Sequence, residues 1–582
     1  MARPGEISGN DRTAAWWSKE WIAVSLISLI FGFAFCYPMF GHFGQVTLSL
    51  DWSRGMDWSW SDWRTIAHFH QFPFWNPYKC GGMPSLANPQ SDFLSPFLLL
   101  RIFFGPFAGL ELEVPLHLSV AFAGAYVLAR TVNCKPIAAA AAAIVFAGSS
   151  WLPLHAAAGH EMHLAGAYLP WVCAFTWMGI QRRSAAWAAL AGLFVAVCCY
   201  EGAMYEVLQL AIFVAVIGAA ACVMEWSPRP MFIAAIVGIF FVGFAAFKLF
   251  PAIVLMHAHP RLGYLSEESF YKTLLSIFSR KQDFAGPWGE GGFWEHGAYI
   301  GAVFAFLGLA GLIKYPARAL PWAAAALIFF LLGMGGTSPY SLYVLLHRLP
   351  GFESTYAPFR FLIPFVLAFA VLSALGTEYI LERRRWAALA LLAVGLIDAI
   401  LVSPGSLAEP FTAGKFTTPA YSTDFRQYYD SSPSNIGMLP LNLANLGAAN
   451  CYETNFWDVS DTKVRGYNQA GYRGEQYLLL PGSVRLLKWT PEKLQFEVNT
   501  RSANVLVINQ NYYRGWRIRD GAAAIDTNRP VLSVTIPAGS QKLTIVYRAP
   551  WAILGIWILA LTSAVTLILF WRERYRNIAK RS

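Results

Sequence analysis

Apolar runs of about twenty residues recur along this chain, and a run of that length is what a helix needs to cross a bilayer. Twelve are present, near residues 21–40, 113–130, 136–154, 164–180, 185–200, 206–224, 231–256, 297–313, 319–336, 361–378, 386–403 and 550–570. Only helices and closed barrels satisfy their backbone inside hydrocarbon, and runs of this length and density point to helices. The 185–224 stretch is divided in two because Tyr200-Glu201-Gly202 and Glu206 interrupt it, and charge rarely faces lipid. Composition agrees. Charged residues make up 13% of the chain, against about 25% in an ordinary soluble domain.

The basic residues give the expected orientation. With the N-terminus inside, the inner segments hold Arg3, Arg12 and Lys19; Arg130 and Lys135; Arg182 and Arg183; Arg229; Lys314 and Arg318; Arg383, Arg384 and Arg385; and Arg572, Arg574, Arg576, Lys580 and Arg581. Every short inner segment is then basic, as the positive-inside rule requires, and both termini are cytoplasmic. The first run has no small-residue cleavage site and reads as a retained span rather than a signal peptide. The net charge of +10 is accounted for by these loops and tails, which excludes nucleic acid as the expected partner.

The outer segments are then 41–112, 155–163, 201–205, 257–296, 337–360 and 404–549, which carry most of the acids. Chemistry is therefore expected on the outer face. Within the first loop, residues 93–110 are apolar but broken by Pro96, Arg101 and Pro106, which suits a helix lying in the interface. From about residue 482 the chain alternates with period two, through Leu494, Phe496 and Val498, then Val505 and Val507, Leu532, Val534 and Ile536, and Leu543, Ile545 and Tyr547. Turn signals at Asp520-Gly521 and Pro537-Ala538-Gly539 separate these runs, which is the pattern of a small β-sandwich.

The first loop sets Asp51, Asp57 and Asp62 among Trp52, Trp58, Trp60 and Trp63, followed by Trp75, Asn76 and Tyr78. Carboxylates bind or deprotonate sugar hydroxyls, and ring faces stack on the C–H face of a pyranose; the same residues also read as an interfacial belt with solvated acids. His155, His160, Glu161 and His163 lie within one short outer turn and offer a divalent metal a donor set, although not in an HExxH arrangement. The alternative is a polar loop whose histidines bond locally. Lys248 lies well inside the seventh run, next to Pro251, and an intramembrane cation is a functional candidate by default. With Arg261 and Arg360 it would form a cationic group suited to a phosphate. Glu201 and Glu295 stand at outer helix ends, as substrate contacts or as boundary charges. Of eight cysteines only Cys80 and Cys451 fall in the outer segments, where they could pair. No P-loop, GxSxG or Rossmann glycine motif is present to cradle a nucleotide. An outer-face transferase must draw its sugar from a polyprenyl-phosphate carrier.

Several segments resemble the bacterial YfhO-type membrane proteins: Gln71-Phe72-Pro73-Phe74-Trp75-Asn76-Pro77-Tyr78-Lys79-Cys80-Gly81-Gly82, Lys248-Leu249-Phe250-Pro251, Trp294-Glu295-His296-Gly297-Ala298-Tyr299, Leu349-Pro350-Gly351-Phe352, Pro358-Phe359-Arg360-Phe361 and Asn511-Tyr512-Tyr513-Arg514-Gly515-Trp516. The resemblance runs from about residue 45 to the end. It implies membership of the GT-C glycosyltransferase superfamily, with a catalytic first outer loop, a polyprenyl-phosphate sugar donor and inversion at the anomeric carbon. The catalytic Asp implied early in that loop is Asp51 or Asp57, and Asp51 lies nearer the first span. The superfamily varies in metal use, so Mg or Mn remains open.

The expectation is thus a polytopic α-helical membrane protein, GT-C-like with about 12 spans, with an extracytoplasmic β-sandwich domain inserted before the last span. Its parts are a tail over 1–20, a membrane domain over 21–403, a β-rich domain over 404–549, a last helix over 550–571 and a basic tail over 572–582. It would sit in the bacterial inner membrane and move a sugar to an extracytoplasmic glycan, lipid or protein. Asp51 or Asp57 would be the base, and Lys248, Arg261 and Arg360 would hold the donor phosphate. Trp75, Asn76, Tyr78, His160, Glu161, His163, Glu201 and Glu295 would surround sugar and acceptor, with His160, Glu161 and His163 as possible metal ligands. The rival is a non-catalytic transporter, flippase or scaffold for lipid-linked glycans.

Overall fold

The computed structural model describes residues 12–259, 265–282, 292–412, 417–430, 435–450 and 463–579. Arg261 and Cys451 lie outside them. Each of the twelve apolar runs is helical. In chain order the first half comprises α1 (Arg12–Phe35), α2 (Trp52–Ala67), α3 (Leu98–Phe104), α4 (Pro106–Thr131), α5 (Pro136–Gly148), α6 (Trp151–Ala158), α7 (Leu169–Arg182), α8 (Ala185–Tyr200), α9 (Met204–Glu225) and α10 (Arg229–Ala258). The second half comprises α11 (Phe270–Phe278), α12 (Gly292–His296), α13 (Ala302–Lys314), α14 (Pro316–Gly333), α15 (Leu342–Leu346), α16 (Leu362–Leu381), α17 (Arg385–Val402), α18 (Asn435–Leu443) and α19 (Ala552–Ala579). Among the described residues eight helical stretches are long and apolar enough to cross a membrane, which makes the chain a multi-pass membrane protein.

The helices differ in what covers them. The α4, α5–α6 and α16 stretches are 83%, 89% and 89% buried, so they form the centre of the bundle, whereas α19 is 11% buried and faces outward along its length. Close approach is set by glycine: a Cβ on Gly376 of α16 would lie 1.8 Å from the Leu307 carbonyl oxygen of α13, so backbone meets backbone there. The second span starts at Pro106 and not near 113, because Pro fits the first turn of a helix and Gly105, at φ +89°, breaks the chain from α3. The interfacial helix expected over 93–110 is therefore only the short α3.

The first loop is neither open nor unstructured. Its α2 has buried residues on every side, Trp52, Met56, Asp57, Ser59 and Asp62 among them. It packs against α4 and α18. A hairpin of β1 (Trp75–Asn76) and β2 (Met83–Pro84) follows. The stretch after α17 opens with a 3-10 turn, and β3 (Arg426–Tyr428) pairs in parallel with β4 (Leu446–Ala448). The sandwich is confined to the later part of 404–549. It has β5 (Gln476–Leu478), β6 (Gly482–Thr490), β7 (Lys493–Thr500), β8 (Asn504–Asn511), β9 (Trp516–Asp520), β10 (Ala524–Ile525), β11 (Val531–Ile536) and β12 (Gly539–Tyr547). Two antiparallel sheets, β10-β11-β8-β5 and β6-β7-β12-β9, share one core. Leu494, Phe496, Leu532, Val534, Ile536, Leu543, Ile545 and Tyr547 alternate into it, the period-two pattern of the sequence, whereas on β8 the core face is Leu506 and Ile508 and not the expected Val505 and Val507.

Candidate functional site

Two backbone segments cross at one end of the bundle. The Asp51 amide donates to the Ala158 carbonyl at 3.1 Å, and the Trp52 indole donates to the Ala156 carbonyl at 2.8 Å, so the start of α2 is stitched to the end of α6. Gly159, at φ +76°, makes the crossing possible: a Cβ there would lie 2.1 Å from the Trp52 nitrogen. The crossing sets the Asp51 side chain beside His160. Asp51 is the N-cap of α2, yet its carboxylate does not cap the helix. It faces Arg54 at 3.7 Å and His160 Nε2 at 3.7 Å.

On the other side of His160 lies Glu295, with Oε1 3.8 Å from the same Nε2. Arg360 grips Glu295 with two parallel bonds, Nε at 2.9 Å and Nη2 at 2.6 Å, and its guanidinium lies over the rings of Tyr205 and Tyr356 at 4.8 and 5.1 Å. Burial pushes the Glu295 carboxyl up, but the charge and hydrogen bonds of Arg360 outweigh it and hold Glu295 well below the usual carboxylate range. Glu295 is thus a fixed anion.

Behind this row sits a histidine cluster. His155, His160 and His163 each offer a ring nitrogen, all within 4.8 Å of one another. His155 Nδ1 and His160 Nδ1 are 3.0 Å apart, and His163 Nδ1 bonds Glu206 at 2.7 Å. Burial lowers both His160 and His163, so these imidazoles are neutral at neutral pH. Neutral rings with a carboxylate on the far nitrogen are the state in which histidine ligates metal. The grouping corrects the expected donor set, because Glu161 does not join it. The Glu161 carboxylate turns towards α2, 3.1 Å from the position a Cβ on Gly55 would take, and burial pushes it up to about 8 against the opposing pull of Arg54. Three imidazoles also suit a softer ion than Mg or Mn, which favour oxygen.

The remaining residues singled out in the sequence lie apart from this cluster. Asp57 is 2% exposed and accepts from the Asn442 amide at 2.8 Å. Trp75 is fully buried against Trp516 and Tyr547, with its indole on Gln510; Tyr78 is buried, bonds Asn445 and meets Phe425 edge-on; Asn76 closes a turn on the Tyr78 amide. Trp75 seats the sandwich and Tyr78 the segment before it, and all three are buried, which corrects their expected place around sugar and acceptor. Glu201 is buried with His117, Tyr168 and Ser95. Lys248 is buried and donates to the carbonyls of Ser91 and Tyr200, so it holds the first loop down on the bundle. Cys80 is disulfide-bonded; its expected partner, Cys451, lies outside the described residues.

Sequence reasoning passed over a second buried group. Arg101 is 1% exposed and joins Asp92 to Glu113, while His117 bonds the Glu113 carbonyl at 2.8 Å and Glu201 at 2.9 Å. Glu113 and His117, one turn apart in an apolar run, were the available signal.

No protein-family model and no curated protein matches the chain. Among solved structures it is similar to the apo oligosaccharyltransferase of Archaeoglobus fulgidus, at 15% identity and TM-score 0.43, over 76% of this chain and 66% of that one. It is similar to the arabinofuranosyltransferase AftD from mycobacteria, at 19% identity and TM-score 0.41, over 66% of this chain and 28% of that one. It is also similar to ArnT from Cupriavidus metallidurans, solved with undecaprenyl phosphate, at 13% identity and TM-score 0.42, over 74% and 85%. The chain spans less than two thirds of the length of the first two. Fold and site together define a multi-pass helical membrane protein. At one end of its bundle a half-buried aspartate, a histidine cluster and an arginine-clamped glutamate meet.

Proposed function

We propose that this protein is a membrane glycosyltransferase that moves a sugar from a polyprenyl-phosphate donor to an acceptor outside the cytoplasm, with Asp51 as general base. All twelve helical runs are then spans, both termini are cytoplasmic, and the Asp51 site opens on the outer face of a bacterial inner membrane. The observation that carries the reading is the Asp51–His160–Glu295–Arg360 row. The side chain of Asp51 is 25% exposed, while His160, Glu295 and Arg360 behind it are 11%, 14% and 5% exposed. A reachable carboxylate backed by a fixed anion and a cation is what proton abstraction next to a departing phosphate needs.

In this mechanism Asp51 takes the proton from an acceptor hydroxyl. The oxygen attacks the anomeric carbon, the bond from that carbon to the phosphate oxygen breaks, and the polyprenyl phosphate leaves with the bonding pair. Configuration inverts. In this reading Arg360 supplies the positive charge for the departing phosphate. Glu295 holds its plane in place, a preorganisation that limits the reorganisation cost at reaction. A divalent cation fits the ring nitrogens of His155, His160 and His163, with Glu206 orienting His163; when bound it would add positive charge beside Asp51.

The test is transfer from a panel of radiolabelled polyprenyl-phosphate sugars by purified protein, with Asp51→Asn and Asp57→Asn alongside. Asp51→Asn should lose ~10²- to 10⁴-fold in rate, the range for removal of a general base. Asp57→Asn should lower thermal stability and leave transfer per folded molecule intact. Chelation should lower the melting temperature if the histidine cluster holds a metal, a readout independent of turnover. No turnover of any donor by folded protein would replace the transferase with a transporter or scaffold.

A further inference from the structure

Away from Asp51, at the far end of α2, a cleft of about 770 Å³ opens between the first loop, the β3 segment and the mouth of the sandwich. Its volume falls in the range of small-molecule sites, ~300–1,000 Å³. The floor is apolar. Leu494 and Phe496 of β7 and Ile508 of β8 reach it from the sandwich core, and Phe425 and Trp489 stack there at 4.5 Å and 17°. The rim is polar, with Arg64, Asp424, Arg426, Glu475 and Gln510.

The rim groups are held in place. Arg64 is 8% exposed; its Nη2 donates to Asn445 at 2.7 Å, while its buried Nη1 has no hydrogen-bond partner. The Glu475 carboxylate accepts from the Gln427 amide at 2.9 Å and the Tyr472 hydroxyl at 2.8 Å. At the edge stands Tyr421, 65% exposed, an aromatic ring left open to a ligand.

This mixture narrows the occupant. A hydrocarbon chain would leave Arg64 and Glu475 facing apolar atoms, at the cost of unmade hydrogen bonds. A phosphate-bearing ligand would meet Asp424 and Glu475 along with Arg64 and Arg426, so charge does not select it. A saccharide offers hydroxyls that both donate and accept, and a C–H face for aromatic rings. The cleft lies at the C-terminal end of α2 and Asp51 at its start, a separation of ~20 Å at the helical rise per residue.

We propose that this cleft binds a saccharide chain at a distance from the reacting end, so that the acceptor is an oligosaccharide or longer glycan and not a single sugar or a lipid. The proposal rests on the transferase reading for the word acceptor, but binding itself does not.

The experiment uses the full-length protein in nanodiscs and an end-labelled oligosaccharide mixture released by mild acid from the envelope of the producing cell. Retention by the protein is measured without donor. Wild type should retain chains of several sugars. Tyr421→Ala and Arg426→Gln, both at exposed positions, should each weaken retention about tenfold, which is ~1.4 kcal/mol. No retention by wild type, or retention by both cleft variants equal to that of wild type, overturns the proposal. Retention without any transfer leaves the cleft standing and removes the transferase; transfer without retention does the reverse.

Discussion

Asp51 and Asp57 lie on one helix, and their surroundings separate their roles. Asp51 precedes the first turn, where the crossing with Gly159 leaves its carboxylate half-open beside His160. Asp57 points into the packing of α2 on α18, where Asn442 satisfies it. The sequence offered both as bases because composition shows which groups are acidic and not which are reachable. Glu161 has a different consequence. Its folded carboxyl titrates at about 8, above its ordinary value of 4.5. The folded state therefore holds a proton that the unfolded chain has released, so stability falls as pH rises from about 4.5 to about 8 and levels off beyond. Glu161→Gln should remove that part of the slope while keeping the neutral carboxamide in the same space. Melting temperatures from pH 5 to pH 9 measure it; an unchanged slope in the variant would assign the pH dependence to other groups.

Among the elements, the transmembrane helices were legible because their signal is length and apolarity, which need no partner to be read. The strands β7, β11 and β12 were legible because their core residues recur with period two, whereas β8 is buried on both faces, so its core face could not be told from its pattern. Helix α2 was not. Its Trp, Ser, Asp and Gly residues have middling or poor helix propensity, and the polar residues between its apolar ones, Arg54, Asp57, Ser59 and Asp62, read as a solvated loop although they are buried. What holds α2 in register is its crossing with the end of α6, and Gly159 is the contact on which that crossing depends. Gly159→Ala would cost the ~1–2 kcal/mol of a left-handed non-glycine residue. It would also drive a methyl into the Trp52 amide, so the start of α2 has to shift. The expected result is a lower melting temperature with transfer falling further than the folded fraction, because Asp51 moves relative to His160. Transfer that tracks the folded fraction alone would show that the crossing serves stability only.

At the scale of the whole molecule, the β-domain is fastened to the first loop by contacts between residues far apart in sequence. Asn511 donates to the Cys80 and Gly82 carbonyls at 2.6 and 3.2 Å, Glu492 accepts from the Phe74 amide at 2.6 Å, and Trp75 fills the sandwich against Trp516 and Tyr547. Which surface meets which is not written in any local pattern, and for that reason the aromatic residues Trp75 and Tyr78 looked like open platforms in the sequence. The first loop thus touches three things at once: the bundle through Lys248, the histidine cluster through Asp51, and the sandwich through Trp75. A loop clamped on three sides keeps the site in one geometry, and loosening any clamp should reach Asp51. Trp75→Ala removes a fully buried indole, for which ~3–5 kcal/mol is the usual cost. Hydrogen exchange should rise in residues 74–84 and along β8 and β12, while α4, α5 and α16 keep their protection. Transfer should fall in the same variant although Asp51, His160 and Arg360 are untouched. Exchange that rises evenly through bundle and sandwich would mean that the two fold as one cooperative unit, and the seat at Trp75 would then be part of a common core instead of a joint between domain and membrane.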